Sequence, residues 1–190
     1  MHNDQGLMAV NDCLLTIGYG NKRTIVEMID LLKRWNVRYL VDVRSKPFSR
    51  FRPEFSRSDL EASLRSSQFV YLFMGDALGG IPDDPTCYTD GKVDYSKIQE
   101  RDWFTNGLAR LMRGWKDGHR IAIMCAELEP QRCHRSKLIG EALIAAGIPV
   151  AHIDEHSDVI AHESVMRKVH GEQPLLFDMG HVSRRSYGGI

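Results

Sequence analysis

A chain of 190 residues that is 43% hydrophobic is long enough to bury one sizeable core and short enough to need only one domain. Its 25 basic and 25 acidic residues cancel to a formal net charge of +0, which excludes a global attraction to nucleic acid or to an anionic membrane and leaves phosphate recognition to a local patch. Four cysteines are too sparse for a secreted disulfide scaffold, no apolar run approaches the roughly 20 residues that span a bilayer, and the first six residues lack the order of a signal peptide, so the expected setting is the cytoplasm with no membrane partner.

Leu14 to Ile17 reads as a short strand running into the turn Gly18-Tyr19-Gly20-Asn21. Thr24 with Glu27 is a capping-box pattern, and Ile25, Met28, Ile29, Leu32 and Trp35 fall on one helical face. Leu40 to Val43 is the next strand, completing a βαβ unit. The stretch Arg44-Ser45-Lys46-Pro47-Phe48-Ser49-Arg50-Phe51-Arg52-Pro53 is too basic and too broken by proline for a regular element, which marks it as a functional loop. Ser58 with Glu61 reads as a second capping box opening a helix to about Ser66, and Val70 to Phe73 reads as a third strand. Asp76 to Pro82 follows it with Gly79-Gly80, and the polar stretch Asp83 to Asp94 reads as a lid. Tyr95 to Lys116 carries one or two amphipathic helices, and Ile121 to Met124 is a fourth strand. Ser136 to Ala146 reads as a helix closed by Gly147, Ala151 to Ile153 as a fifth strand, and His162 to Val169 as a last helix. Ser183 to Gly189 is polar and terminal, so fraying is expected.

Strands that alternate with helices imply a three-layer α/β/α fold with a central, mostly parallel sheet in a single domain. The expected organisation is a flexible segment over residues 1–12, the α/β domain over 13–170 and a tail over 171–190. Ligands of such sheets bind beyond the carboxyl ends of the strands, where strand order reverses. Every unusual loop in this chain follows a strand. Tyr19 and Asn21, then Asp42, Arg44, Ser49 and Arg50, then Gly79 and Gly80, then Cys125 to Arg135 are therefore expected on one edge.

Between the fourth strand and its helix stands Cys125-Ala126-Glu127-Leu128-Glu129-Pro130-Gln131-Arg132-Cys133-His134-Arg135. Together with Thr16-Ile17-Gly18-Tyr19, Asp42-Val43-Arg44-Ser45, Ser49-Arg50 and Leu78-Gly79-Gly80, this loop resembles the family catalogued as domain of unknown function 488, over about Leu14 to Ile153. The resemblance implies a compact α/β domain and singles out Arg44 and Arg50, but it names no activity. The order strand, cysteine, loop, helix is also similar to that of rhodanese sulfurtransferases and cysteine phosphatases, and Asp42-Val43-Arg44 is similar to the Asp-Val-Arg near the start of rhodaneses. Those loops use small residues, whereas this one is longer and holds Glu127, Glu129 and Pro130.

A thiol at a strand end facing a helix amino terminus, with Arg132, His134 and Arg135 near in sequence, can ionise well below its usual value of about 8.5. Cys125 is thus a candidate nucleophile and Glu127 a candidate general acid or base. A small apolar residue packed in the sheet is an equal reading of Cys125. Arg44, Arg50 and Arg135, with Tyr19, Asn21, Ser49, Gly79, Gly80, Cys133 and His134, are the candidate binders of an anion, and Phe48 and Phe51 interleave the arginines as base-stacking residues do. The expected partner is an anionic small molecule or nucleic acid. No cofactor is assigned, and the spacing of Cys125, Cys133 and His134 is not that of a zinc knuckle. His152, His156, His162, His170 and His181 read as surface or packing residues. The rival readings are a non-catalytic nucleic-acid-binding module with Cys125 structural, rhodanese- or phosphatase-like thiol chemistry, and a zinc site at the same loop.

Overall fold

The computed structural model describes Val10, residues 12–171 and, as backbone, residues 182–186. Its central sheet holds five parallel strands: β1 (Leu14–Gly18), β2 (Tyr39–Asp42), β3 (Val70–Phe73), β6 (Ile121–Cys125) and β7 (Val150–Ile153). An antiparallel strand, β8 (Val159–Ala161), closes one edge and gives the order β3-β2-β6-β1-β7-β8. Two short strands, β4 (Tyr88–Thr89) and β5 (Lys92–Asp94), form a hairpin, and β9 (Val182–Ser186) adds to β5. The helices are α1 (Ile25–Arg34), α2 (Arg57–Ser66), the single turn α3 (Gly75–Leu78), α4 (Tyr95–Gln99), α5 (Asp102–Lys116), α6 (Glu141–Ala145) and α7 (His162–His170).

The inner parallel strands β1, β6 and β7 are buried on both faces, as their apolar composition requires, whereas the edge strand β3 is only partly buried. Successive side chains point to opposite sides. Leu14, Val41, Val43, Ile121, Ile123 and Val150 pack in one core with Phe104 and Leu111 of α5 and Leu143 of α6. Leu15, Ile17, Leu40, Ala122, Met124 and Ala151 pack in the other with Met28, Leu31 and Leu32 of α1 and Leu60 and Leu64 of α2. The chain lays down β1, β2 and β3 toward one edge and β6 and β7 back toward the other. Right-handed crossovers then require the two helix pairs to lie on opposite faces. The reversal falls where β6 inserts between β2 and β1, so the crevice beyond the end of β6 is the place this topology offers a ligand.

All five expected parallel strands form, and the Thr24–Glu27 capping box is present in full. Four local expectations differ. Helix α2 begins at Arg57 after Ser56, and Ser58 turns its hydroxyl to Asp59 instead of capping the helix. The stretch read as a lid is the β4–β5 hairpin, tied by Asp84 to Thr86 and Arg101 and by the Tyr88 hydroxyl to the Pro82 carbonyl. The helix after the cysteine loop starts as π-helix, Arg135–Gly140, before tightening into α6. Val182–Ser186, which overlaps the stretch expected to fray, is a strand; the remainder of the two terminal segments lies outside the described residues, apart from Val10, Asp12 and Gly171.

The end of β1 must be glycine for steric reasons. A Cβ on Gly18 would overlap the Glu127 carbonyl oxygen and stand 2.9 Å from the Arg135 guanidinium. Gly18→Ala is expected to cost about 1–3 kcal/mol by overpacking, read from urea denaturation, and an unchanged midpoint would show that the loop has room to shift.

Candidate active site

The loop from Cys125 to Arg135 folds back over the end of β1. Gly18 pairs with Cys125 in register, the Gly20 N–H donates to the Ala126 carbonyl at 2.8 Å, and Gly20 takes φ +52° where its Cβ would press on Leu128. Arg135 holds the loop down from beneath. Its side chain is fully buried: Nε donates to Thr16 Oγ1 at 3.2 Å, one terminal nitrogen to the Leu128 carbonyl at 2.9 Å, and the other to the Glu127 carbonyl. These acceptors are uncharged, so the charge of Arg135 is felt by the thiols beside it.

Cys125, Cys133 and His134 meet at the end of β6. His134 Nδ1 lies 3.7 Å from each sulfur, and His134 Nε2 lies 3.2 Å from the Val43 carbonyl. A carbonyl only accepts, so Nε2 carries the proton and Nδ1 faces the two sulfurs. The ring is pressed by Gly80, where a Cβ would come within 2.5 Å of its Cγ. Burial alone would push the Cys133 thiol up, but its hydrogen bond with Cys125 and the charges of Arg135 and His134 outweigh that and hold it well below the ordinary thiol range. The hydrogen bond to Cys133, reinforced by burial, raises Cys125 correspondingly. The Glu127 N–H also stabilises a charged Cys125 sulfur. The pair thus gives up one proton readily and the second reluctantly.

The three donor atoms all lie within 4.8 Å of one another. Zinc bonds of about 2.3 Å to sulfur and 2.0–2.1 Å to nitrogen bring S and N of a tetrahedral site to roughly 3.5 Å apart, so these residues could hold a metal ion with little adjustment.

Arg44 sits at the end of β2 in a buried network. It grips Asp42 with Nε at 2.9 Å and a terminal nitrogen at 2.6 Å, and its other terminal nitrogen donates to the Tyr19 hydroxyl at 3.0 Å and the Phe55 carbonyl at 2.7 Å. Burial works against this charge, but the bonds to Asp42 outweigh it and raise the Arg44 pKa. The Tyr71 hydroxyl donates to Asp42 at 2.7 Å, and burial followed by the Asp42 charge pushes its pKa up. Tyr19 stacks flat on Phe55 with ring centres 4.0 Å apart. Arg50 is exposed and lies over Phe51, Asn21 is exposed in its turn, and the Ser49 N–H donates to Ser56. Ser45 Oγ accepts from the Ile81 N–H at 3.0 Å, which joins the Gly79-Gly80 turn to the basic loop. Glu127 is half-buried, with its carboxylate accepting from the Leu128 N–H at 3.0 Å.

A second buried network was missed by sequence reasoning. Thr16 Oγ1 lies 2.7 Å from His152 Nδ1, His152 Nε2 lies 2.9 Å from His162 Nδ1, and His162 Nε2 lies 2.6 Å from Glu141. Its one signal in the sequence is Thr16, a hydroxyl in the middle of a strand buried throughout, which has to find a partner. Arg23, also buried, donates to the carbonyls of Gly18 and Asp154 beside this network.

A family model described as "Domain of unknown function DUF488" matches residues 24–142, more than half of the chain. No curated protein and no solved structure matches.

Two outcomes are expected. Arg44→Ala strands a buried carboxylate and should lower stability by about 3–5 kcal/mol, whereas Arg50→Ala should change it by less than about 0.5 kcal/mol; paired thermal melts check both. Burial, Arg135 and His162 lower the His152 pKa, so the folded protein resists a proton that the unfolded chain accepts near pH 6.5. Stability contributed by neutral His152 is therefore full above about pH 6.5 and falls as pH drops below it. Denaturation midpoints between pH 7 and 5 should show that fall, and His152→Gln should flatten it.

Proposed function

From the premise that the chain belongs to the family of the domain of unknown function DUF488, we propose that it is an enzyme-like α/β domain whose Cys125–Cys133–His134 centre works on an anionic ligand, a nucleotide or nucleic-acid segment. One observation carries the reading: two buried thiols each stand 3.7 Å from one imidazole nitrogen, at the point where strand order reverses. In this reading Cys125, with 8% of its surface exposed against 3% for Cys133, is the attacking sulfur. The Cys133 thiolate takes up its proton, His134 stabilises that thiolate, and Glu127 serves as acid or base at the mouth of the loop. Arg135 supplies the positive field, and Arg44 builds the floor with Asp42 and Tyr19. Arg50, Ser49, Asn21, Gly79 and Gly80 line the ligand's approach. The protein works with reduced thiols, as found in the cytoplasm. No helix of the described residues is long and apolar enough to cross a membrane.

A second reading, a zinc centre, is favoured by the bond from His134 to the Val43 carbonyl. Histidines that ligate a metal commonly donate their other ring N–H to such a group, which aims the free lone pair at the ion.

The test is alkylation by iodoacetamide of chelator-treated protein, followed by peptide mass spectrometry. An ordinary thiol loses roughly twentyfold of its thiolate between pH 9 and pH 7. The Cys125/Cys133 pair should keep a rate within about threefold over that range, and Cys133→Ser should restore the ordinary dependence at Cys125. Thiols that stay unreactive at every pH would make the domain a binding module with structural cysteines. Stoichiometric zinc in protein purified without chelator, lost in Cys133→Ala, would favour the metal centre.

A further inference from the structure

The loop between β2 and α2 presents an unusual surface. From Arg44 to Arg57 it holds five of the chain's 25 basic residues and one of its 25 acidic ones, although the chain as a whole is neutral. Arg44 is spent on Asp42, and Arg52 on Glu54 at 2.8 Å and the Arg23 carbonyl at 2.9 Å. Lys46, Arg50 and Arg57 are exposed, Arg57 with its guanidinium over the Phe73 ring at 4.6 Å. Between them stand Phe48 and Phe51, 74% and 86% exposed, the two exposed aromatics among the large hydrophobic side chains of the described residues.

These rings are held out by a fixed frame. The Arg57 N–H donates to the Pro47 carbonyl at 2.9 Å, which closes the loop at its base. Ser49 and Ser56 join across it, and Phe55 is driven inward against Tyr19 with no exposed surface. A frame tied at these points spends little ordering entropy on binding. Covering Phe48 and Phe51 would be favourable by about 2–3 kcal/mol each, so the pair offers apolar area to an occupant.

Resting on the anionic-ligand reading above, we propose that this loop binds single-stranded nucleic acid, with unpaired bases stacked on Phe48 and Phe51 and phosphates met by Lys46, Arg50 and Arg57. Arg50 already lies over the Phe51 ring at 5.9 Å, an arrangement that makes a layered cation and aromatic platform for a base. Duplex is disfavoured because paired bases offer no free face. The loop leaves β2 through Val43, the residue after its end, whose carbonyl holds His134, and Ser45 ties the loop to the Gly79-Gly80 turn, so a bound strand passes beside the thiols.

The experiment uses the full chain and fluorescence anisotropy with a fluorescein-labelled 15-nucleotide oligothymidylate. Its arms are the same length of duplex DNA, polyglutamate, and vesicles of phosphatidylcholine with phosphatidylserine. The expected result is binding of the single strand over duplex, with a log affinity against log salt slope of about −2 from three phosphate contacts. Phe48→Ala and Phe51→Ala should each weaken it about tenfold with melting temperature unchanged. Equal or tighter binding of vesicles or polyglutamate, an unselective preference for duplex, or full affinity in the Phe48→Ala/Phe51→Ala double variant would overturn the proposal. Cys125→Ser separates the two readings: oligothymidylate binding kept in this variant while the wild-type thiols prove unreactive would sink the thiolate reading and leave the loop's role standing.

Discussion

The buried guanidinium of Arg135 is the constraint on which the site depends. A fully buried cation is tolerable only when its donors are met, and here they are met by one strand hydroxyl and two carbonyls of the loop that carries the thiols. The consequence is twofold. The loop is clamped over Gly18, which fixes where Cys125 stands, and an uncancelled positive charge remains next to two sulfurs. A carboxylate in place of those carbonyls would have held the loop equally well and neutralised the field that makes a thiolate affordable in a dry site. Geometry and electrostatics therefore come from the same side chain.

The same side chain starts a polarised chain of hydrogen bonds. Arg135 donates to Thr16, so the Thr16 hydrogen points to His152 Nδ1 and makes that nitrogen an acceptor. His152 then carries its proton on Nε2 and gives it to His162 Nδ1, which leaves His162 Nε2 to donate to Glu141. Every bond runs in one direction, from the cation under the thiols to a carboxylate at the start of α6. The π-helical turn at Arg135–Gly140 belongs to this arrangement. It widens the helix where Gly140 meets the His162 ring, at 2.6 Å from a Cβ position, so the imidazole can reach between α6 and β7.

The sheet was legible from the sequence because its strands are short apolar runs bounded by helices with capping and amphipathic signals, and the alternation of two element types leaves few topologies. The meeting of Cys125, Cys133 and His134 was legible in part: they share one loop, and the loop joins strand to helix. What sequence spacing could not reveal is that the loop doubles back, because the cause is a bond from Arg135 to carbonyls, and carbonyls leave no trace in residue identity. Arg44 shows the converse. The Asp-Val-Arg pattern marks it as special, yet pattern alone does not distinguish an anion clamp from a guanidinium whose fork is taken up by the aspartate two residues earlier. The pairing of His152 with His162 was not legible because they stand ten positions apart along a hairpin, while β7 and α7 bring them to 2.9 Å.

Charge is distributed by depth in this protein, and that distribution joins its two distinctive surfaces. The inner arginines, Arg23, Arg44 and Arg135, are spent on carbonyls and on Asp42, and they hold the carboxyl edge of the sheet in shape. The outer cations are exposed: Lys46 and Arg50 stand with two exposed phenyl rings on a braced loop, and Arg57 at its base lies over the Phe73 ring. A neutral chain can therefore present a strongly basic edge at one place without a repulsive excess elsewhere. The carbonyl of Val43 is where the two layers touch: it follows the strand that leads into the basic loop, and it accepts the hydrogen bond that fixes which nitrogen of His134 faces the sulfurs.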